Sequence, residues 1–112
     1  FTRDTSLASG TQSITGLGFS PKFIFLFSNQ SGTSETSWGY DNGTTGTCVY
    51  DGNPSSAGTY GLHNTKSIFA LESGSADYQG VVNSFDANGF TISWTRTSTP
   101  TGTLTVAYAA FN

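Results

Sequence analysis

Seven carboxylates are the first candidates for chemistry in this 112-residue chain. Glycoside hydrolysis needs two carboxyl groups roughly 5–10 Å apart, in a cleft that perturbs the pKa of one of them. Asp41, Asp51 and Asp86 instead stand in turn sequences, where an Asx side chain caps its own backbone. Glu35 and Glu72 fall in sequences typical of loops, so we expect them to be solvated. The pattern therefore favours structural carboxylates over a catalytic pair.

Cys48 and His63 are the single cysteine and the single histidine of the chain. A cysteine nucleophile would need His63 beside it and a positive environment that favours the thiolate. The segment around Cys48 is typical of a strand, which favours a small buried residue, and one cysteine excludes an internal disulfide. A Ser–His–Asp triad converges only in space, but the nucleophile-elbow motif GxSxG is missing. We predict that the protein is not an enzyme.

The sequence contains few residues that could form a metal or cofactor site. One cysteine and one histidine are too few for a zinc site. The turns at 41–43 and 51–53 faintly resemble calcium loops, but the EF-hand pattern is missing. We predict no metal and no cofactor.

Charged residues make up only 10% of the chain, and the net charge is −3. A nucleic-acid interface normally carries a basic stripe, which four scattered cations do not form. No stretch approaches the ~20 apolar residues that span a bilayer. We therefore predict neither a nucleic-acid partner nor a membrane. A surface of Ser, Thr, Gly and Asn can lie against another protein without the cost of desolvating ions. This composition favours a protein that is part of an assembly or is located outside the cell.

Period-2 patterns and frequent turn signals predict one all-β domain over residues 1–112. We expect an antiparallel β-sandwich or flattened barrel of about eight strands, with two sheets roughly 10 Å apart. The strands are predicted at 11–14, 22–28, 37–40, 45–50, 66–71, 78–85, 90–95 and 103–111, with a further short one at 59–63. The segments 29–34, 72–76 and 97–102 are predicted loops.

Three local patterns give more detailed expectations. The apolar run at 23–27 predicts a strand covered on both faces, in a sandwich core or at an oligomer interface. Phe90, Ile92 and Trp94 alternate with hydroxyl residues, which predicts that these three side chains face the core. Asn88-Gly89 predicts a hairpin in which Gly89 has a positive φ.

Aromatic residues cluster in the middle third of the chain, at Trp38, Tyr40, Tyr50 and Tyr60. Two interpretations stay open. The rings can fill the core or an oligomer interface, or they can form a platform on which sugar rings stack. Under the second interpretation, Trp38 and Tyr40 are the candidate glycan-binding residues.

Two longer stretches and the C-terminal strand share a layout with a known class of proteins. Residues 16–27 and 81–94, followed by 106–111, read "GLGF-x-PK-hydrophobic run … SFD-x-NGF-x-x-x-W … V-x-Y-x-A-F". This layout resembles small virion structural proteins of tailed bacteriophages, from about residue 11 to the C-terminus. The segment 32–64 matches nothing in that class, and the resemblance implies no catalytic residue.

The resemblance implies a capsid decoration (cement) protein on the virion surface. Such a protein would bind the major capsid protein, bridge neighbouring subunits and assemble as a homo-oligomer, commonly a trimer at three-fold positions. The alternative is a tail or head fibre domain, similar to H-type lectin sandwiches, that binds glycans of the host surface.

The chain termini are the candidate docking segments. Residues 1–9 are polar with an aromatic tip, which is typical of an extended arm that becomes ordered on docking. The predicted partner-binding residues are Phe1, Thr2, Arg3, Phe111 and Asn112.

Overall fold

The computed structural model describes residues 1–32, 35–52 and 60–112, and all its regular elements are strands. This confirms the predicted all-β class. The ten strands are β1 (Thr2–Asp4), β2 (Gly10–Thr15), β3 (Phe23–Gln30), β4 (Thr36–Asp41), β5 (Gly46–Asp51), β6 (Tyr60–His63), β7 (Ile68–Ser73), β8 (Ala76–Asp86), β9 (Gly89–Thr97) and β10 (Thr103–Phe111).

The strands form two antiparallel sheets packed as a sandwich. The larger sheet has the order β1-β10-β3-β4-β5-β6, and the smaller has the order β2-β9-β8-β7. Bulges interrupt the register of β7 with β8 near Leu71 and of β8 with β9 near Val82. In the described ranges, no helix is long and apolar enough to cross a membrane.

The core lies between the two sheets and follows the period-2 pattern. Phe90, Ile92 and Trp94 of β9 are all buried, which confirms the predicted core face. Ile24 and Leu26 of β3 are fully buried opposite them. Burying large side chains of this kind contributes about 1.5–3 kcal/mol each.

The first residues of the chain belong to the larger sheet. β1 pairs with β10, and Val106 N donates to Phe1 O at 2.8 Å. The Phe1 ring packs against Phe90 and Tyr108, with centroids 6.2 and 5.9 Å apart. The segment is thus an edge strand, not a free extension. The sequence analysis did not predict this strand because its three residues, Thr2–Asp4, are all polar and show no alternation of apolar and polar residues.

The predicted hairpin is present, with Gly89 as the first residue of β9. Ala87 and Asn88 connect β8 to β9, and Gly89 has a φ of +153°. A Cβ at this position would overlap the carbonyl oxygen of Ile14 on β2. Gly89 is therefore required both by its backbone conformation and by the close approach of a neighbouring strand.

The expectation of a polar loop that begins directly after the apolar run of β3 is wrong. The strand continues through Asn29 to Gln30, where a polar loop was predicted, and Gln30 is fully buried. The Gln30 amide nitrogen donates to Glu72 Oε2 at 2.9 Å and to Thr101 O at 2.7 Å. Partners distant in sequence, the Glu72 carboxylate of β7 and the main-chain carbonyl of Thr101, let this polar strand end be buried, and no local pattern signals them.

Candidate functional site

Most of the exposed large apolar side chains in the described part of the chain lie on the side of the larger sheet that faces away from the smaller sheet. We call this side the outer face. In the described ranges, eight large apolar side chains are exposed, and all except Leu7 lie on it. The seven are Phe25, Phe27, Trp38, Val49, Tyr60, Leu62 and Phe111.

Strand register brings these side chains together. Phe27 lies opposite Trp38, Trp38 opposite Val49, and Val49 opposite Leu62, so one row crosses β3, β4, β5 and β6. Residues directly opposite each other in antiparallel strands have their side chains on the same face, with Cβ atoms about 4.5–5.5 Å apart. The row is therefore continuous across four strands.

A second group of rings extends the outer face toward the chain end. Phe23 packs on Phe25 at 4.8 Å and stacks on Tyr40 at 5.6 Å between centroids. Phe111 contacts Phe25 edge-on at 6.1 Å. Edge-to-face and offset pairs of this kind hold the rings in defined orientations. The outer face is thus a preorganised surface.

An apolar groove of about 420 Å³ runs along the centre of the outer face. Its floor is formed at Gly39, Thr47 and Cys48, where β4 and β5 carry small residues. Its walls are formed by Phe25, Phe27, Trp38, Tyr40, Val49 and Leu62. None of the described residues that line the groove is charged, so the groove favours an apolar occupant.

The apolar run of β3 supplies both the core and the outer face. Ile24 and Leu26 are fully buried, whereas Phe25 and Phe27 are exposed by 42% and 44%. The expectation that the sandwich core covers both faces of this strand is therefore wrong. Coverage of the second face by an oligomer interface stays a prediction.

The structure brings together some of the predicted binding residues. Trp38 and Tyr40 lie on the outer face, and Trp38 is exposed by 51%. Tyr60 shares this face, but Tyr50 does not, because its ring packs on Phe69 between the sheets at 4.5 Å. A glycan platform built from all four aromatic residues is therefore not formed.

The predicted docking residues at the termini do not form one surface. Phe111 stands on the outer face, whereas Phe1 packs toward the core. Arg3 Nε donates to the Tyr78 hydroxyl at 2.8 Å, so this guanidinium is held against the smaller sheet. Thr2 and Asn112 are exposed. Their contact with a partner stays a prediction.

Cys48 and His63 are register partners on β5 and β6. Cys48 is buried, as predicted, and burial raises the pKa of its thiol to about 12. Burial also lowers the pKa of His63, as does the nearby Lys66 charge, and the imidazole ring packs on Phe69 at 4.9 Å. A protonated thiol beside a neutral imidazole is not an activated nucleophile.

Cys48 is expected to be unreactive in the folded protein. Native protein should react with dithiobis(nitrobenzoate) at least about 100-fold more slowly than denatured protein, because only an exposed thiolate can attack the disulfide of the reagent. Absorbance of the released thionitrobenzoate at mildly alkaline pH measures both rates. Equal rates would show that the thiol is accessible without unfolding.

Asp41 has a structural role that extends well beyond the predicted turn. Gly43 N donates to Asp41 Oδ1 at 2.8 Å, which confirms the Asx turn. The second oxygen, Oδ2, accepts from Ser67 Oγ at 2.5 Å and from Val82 N at 3.0 Å. The buried carboxylate thereby ties β4 of one sheet to β8 of the other and to the start of β7.

Glu35 is fully buried, so the expectation of a solvated side chain is wrong. It immediately precedes β4, and the inward side of that strand continues through Ser37. Burial raises the pKa of Glu35, and the charge of Glu72 acts in the same direction. In the described part of the chain, no other residue hydrogen-bonds its carboxylate oxygens. A buried carboxyl without partners favours the neutral form.

Replacement of Glu35 by glutamine is expected to change how stability depends on pH. The folded-state pKa of Glu35 lies above its ordinary value of 4.5. The stability that the protein gains from protonated Glu35 is therefore fully present at pH values below 4.5. It is lost as the pH rises through the folded-state pKa. The free energy of unfolding of Glu35→Gln minus that of the wild type should therefore increase progressively from acid to neutral pH.

Chemical unfolding at several pH values measures this difference. Asp51→Asn, which removes an exposed carboxylate, is the matched control and should leave the shape of the profile unchanged. Parallel profiles for Glu35→Gln and the wild type would show that Glu35 does not titrate abnormally.

Comparison with protein-family models, with curated proteins and with solved structures gave no match. The described ranges also contain no cluster of three or more His, Cys, Asp or Glu side chains that could hold a metal ion. The outer face is therefore the candidate functional site, and its chemistry is that of an apolar contact surface.

Proposed function

We propose that this protein is a capsid decoration protein of a tailed bacteriophage, which binds the outer capsid surface and stabilises the head without catalysing a reaction. The observation that carries the proposal is the outer face. Soluble monomers rarely expose contiguous apolar patches larger than a few hundred Å², and larger patches mark interaction surfaces. A protein with this surface fits a working state in which other protein covers it.

The scaffold suits such a role. Two sheets packed on a shared core of aliphatic and aromatic side chains give a rigid module, and only 10% of the residues are charged. Docking a surface of hydroxyl and amide groups against a shell desolvates few ions. The resemblance of 16–27, 81–94 and 106–111 to phage virion proteins supports placement on a virion.

Stabilisation would follow from mass action. A protein that binds the assembled shell, and not its separated subunits, shifts the equilibrium toward the shell. The major capsid protein is the proposed partner. The predicted docking residues at the termini lie along β1 and the end of β10, at or next to the edge of the larger sheet.

A second candidate function is glycan binding by a fibre domain. Trp38, exposed by 51% beside Tyr40, favours it because sugars stack on exposed aromatic rings. A glycan that binds there should change the fluorescence of Trp38. The buried Trp94 should not respond directly.

Immunogold electron microscopy of the source particles distinguishes the two functions. Gold over the head, together with greater thermal stability of decorated than of undecorated capsids, is the expected result. Gold confined to the tail or fibres would overturn the decoration proposal and favour the glycan-binding one.

Point changes then test the docking residues. Deleting residues 1–9 would remove β1 and the Phe1 packing, so loss of binding could merely reflect unfolding. Thr2→Glu and Asn112→Glu are expected to reduce capsid occupancy. The control Thr99→Glu, at an exposed site in the connection between β9 and β10, should not reduce it. Full occupancy by both terminal variants would refute the docking assignment.

A further inference from the structure

We propose that the outer face is a contact between copies of this chain. The first argument is its size. With about 150–250 Å² for each large side chain, the exposed fractions of the seven apolar residues leave roughly 700 Å² in water. A stable protein–protein interface buries about 800 Å² per partner. The face thus has about the area that one copy needs to contribute.

The second argument is charge. The groove lining in the described part of the chain carries no charge, so two copies can meet there without opposing like charges. Asp51, two residues after Val49 on β5, is exposed and shares the face of Val49 by the two-residue period of the strand. It lies at one end of the strand, where it can remain at the rim of the contact. Apolar interface centres with polar rims are the usual arrangement.

The third argument is shape. Tyr60 and Leu62 are the most exposed large apolar residues of the described chain, at 76% and 68%, and both stand on the edge strand β6. The groove lies directly beside them. In a two-fold contact the same patch is used by both partners, so protruding residues of each copy can enter the groove of the other.

The lining of the groove favours a protein copy over a sugar. Small-molecule sites combine apolar walls with several placed polar groups, and sugars need many of them. Among the described residues that line the groove, the side chains that could supply hydrogen bonds are few: those of Thr47, Tyr40 and Trp38. An apolar side chain of a second copy matches this surface better than a polyhydroxylated ring.

Sedimentation of the purified chain across a wide concentration range tests the proposal. The wild type is expected to form an oligomer at micromolar concentration. Leu62→Glu and Val49→Glu should weaken self-association by about 100-fold, since buried apolar anchors dominate interface energies. Leu62 is largely exposed and Val49 about half exposed in the single chain, so both variants are expected to fold, which circular dichroism verifies.

Leu7→Glu is the matched control. Leu7 is exposed by 48% but lies outside the outer face, so this variant should associate like the wild type. Acrylamide quenching of Trp38 gives a second readout and should fall as concentration rises. The Trp38→Phe variant, which retains only buried Trp94, should lose that dependence.

The outcomes separate this proposal from the decoration function. A wild type that stays monomeric at all concentrations, or an oligomer unaffected by Leu62→Glu and Val49→Glu, overturns the copy–copy contact. A monomer whose Trp38 fluorescence responds to sugar overturns it in favour of a glycan site. None of these results depends on where the protein lies on the particle, which the immunogold experiment decides.

Discussion

Replacing Asp41 by alanine is expected to lower the free energy of unfolding by about 2–6 kcal/mol. Ser67 Oγ and Val82 N both donate to its buried Oδ2, and each donor left unpaired in the interior costs about 1–3 kcal/mol. The loss is large because these bonds join the two sheets. Urea unfolding, followed by circular dichroism, measures it.

Asp86→Ala is the control for this prediction. Asp86 also accepts two side-chain hydrogen bonds, from Ser84 Oγ at 2.9 Å and Thr91 Oγ1 at 2.8 Å, but all three groups are only partly buried. Water can replace the lost acceptor there, so the expected loss is below about 1 kcal/mol. Similar losses for the two variants would show that burial of the Asp41 network is not what stabilises the sandwich.

The Gly39→Ala substitution is expected to destabilise the protein by about 3 kcal/mol or more. A Cβ at Gly39 would overlap the carbonyl oxygen of Ser67, which belongs to the segment leading into β7. It would also lie 2.7 Å from Thr47 O and 2.8 Å from Cys48 Cβ. Overpacking usually costs about 1–3 kcal/mol, and backbone atoms cannot rotate away as side chains do.

Gly74→Ala provides the matched comparison. A Cβ at Gly74, in the turn between β7 and β8, would meet no atom within 4 Å. The same substitution there should leave stability unchanged or raise it by up to about 1 kcal/mol, because alanine restricts the unfolded chain. The melting temperatures of both variants, measured by thermal unfolding, test this prediction. An unchanged melting temperature for Gly39→Ala would mean that the sheets can separate at this point without cost.

The local sequence pattern was sufficient for the fold class and for much of the core. Alternation over Phe90, Ile92 and Trp94 depends only on the two-residue period of a strand, so it can be recognised without the partner strands. The Asn88-Gly89 hairpin is equally local. The polar edge strand β1 was missed because its pairing with β10 joins the two ends of the chain.

The candidate site was only partly predictable. The sequence singled out Trp38, Tyr40 and Phe111, but it placed them in separate hypotheses about glycans and docking. Their common face depends on the order of β10, β3, β4 and β5 in one sheet. Strand order is a long-range property, which no residue spacing within a single strand encodes.

By itself, the sequence determined an all-β chain with few charges, few reactive groups and an alternating core. Only the tertiary structure decided which aromatic residues of β3, β4 and β5 face the smaller sheet and which face outward. The apolar run of β3 is the clearest case, since Ile24 and Leu26 face the smaller sheet while Phe25 and Phe27 face outward. The physical reason is that a strand presents two faces, and the packing of the second sheet decides which of them is removed from water. The same packing buried both Glu35 and Asp41. Ser67 and Val82, distant in sequence, donate hydrogen bonds to Asp41, and burial together with the charge of Glu72 raises the pKa of Glu35.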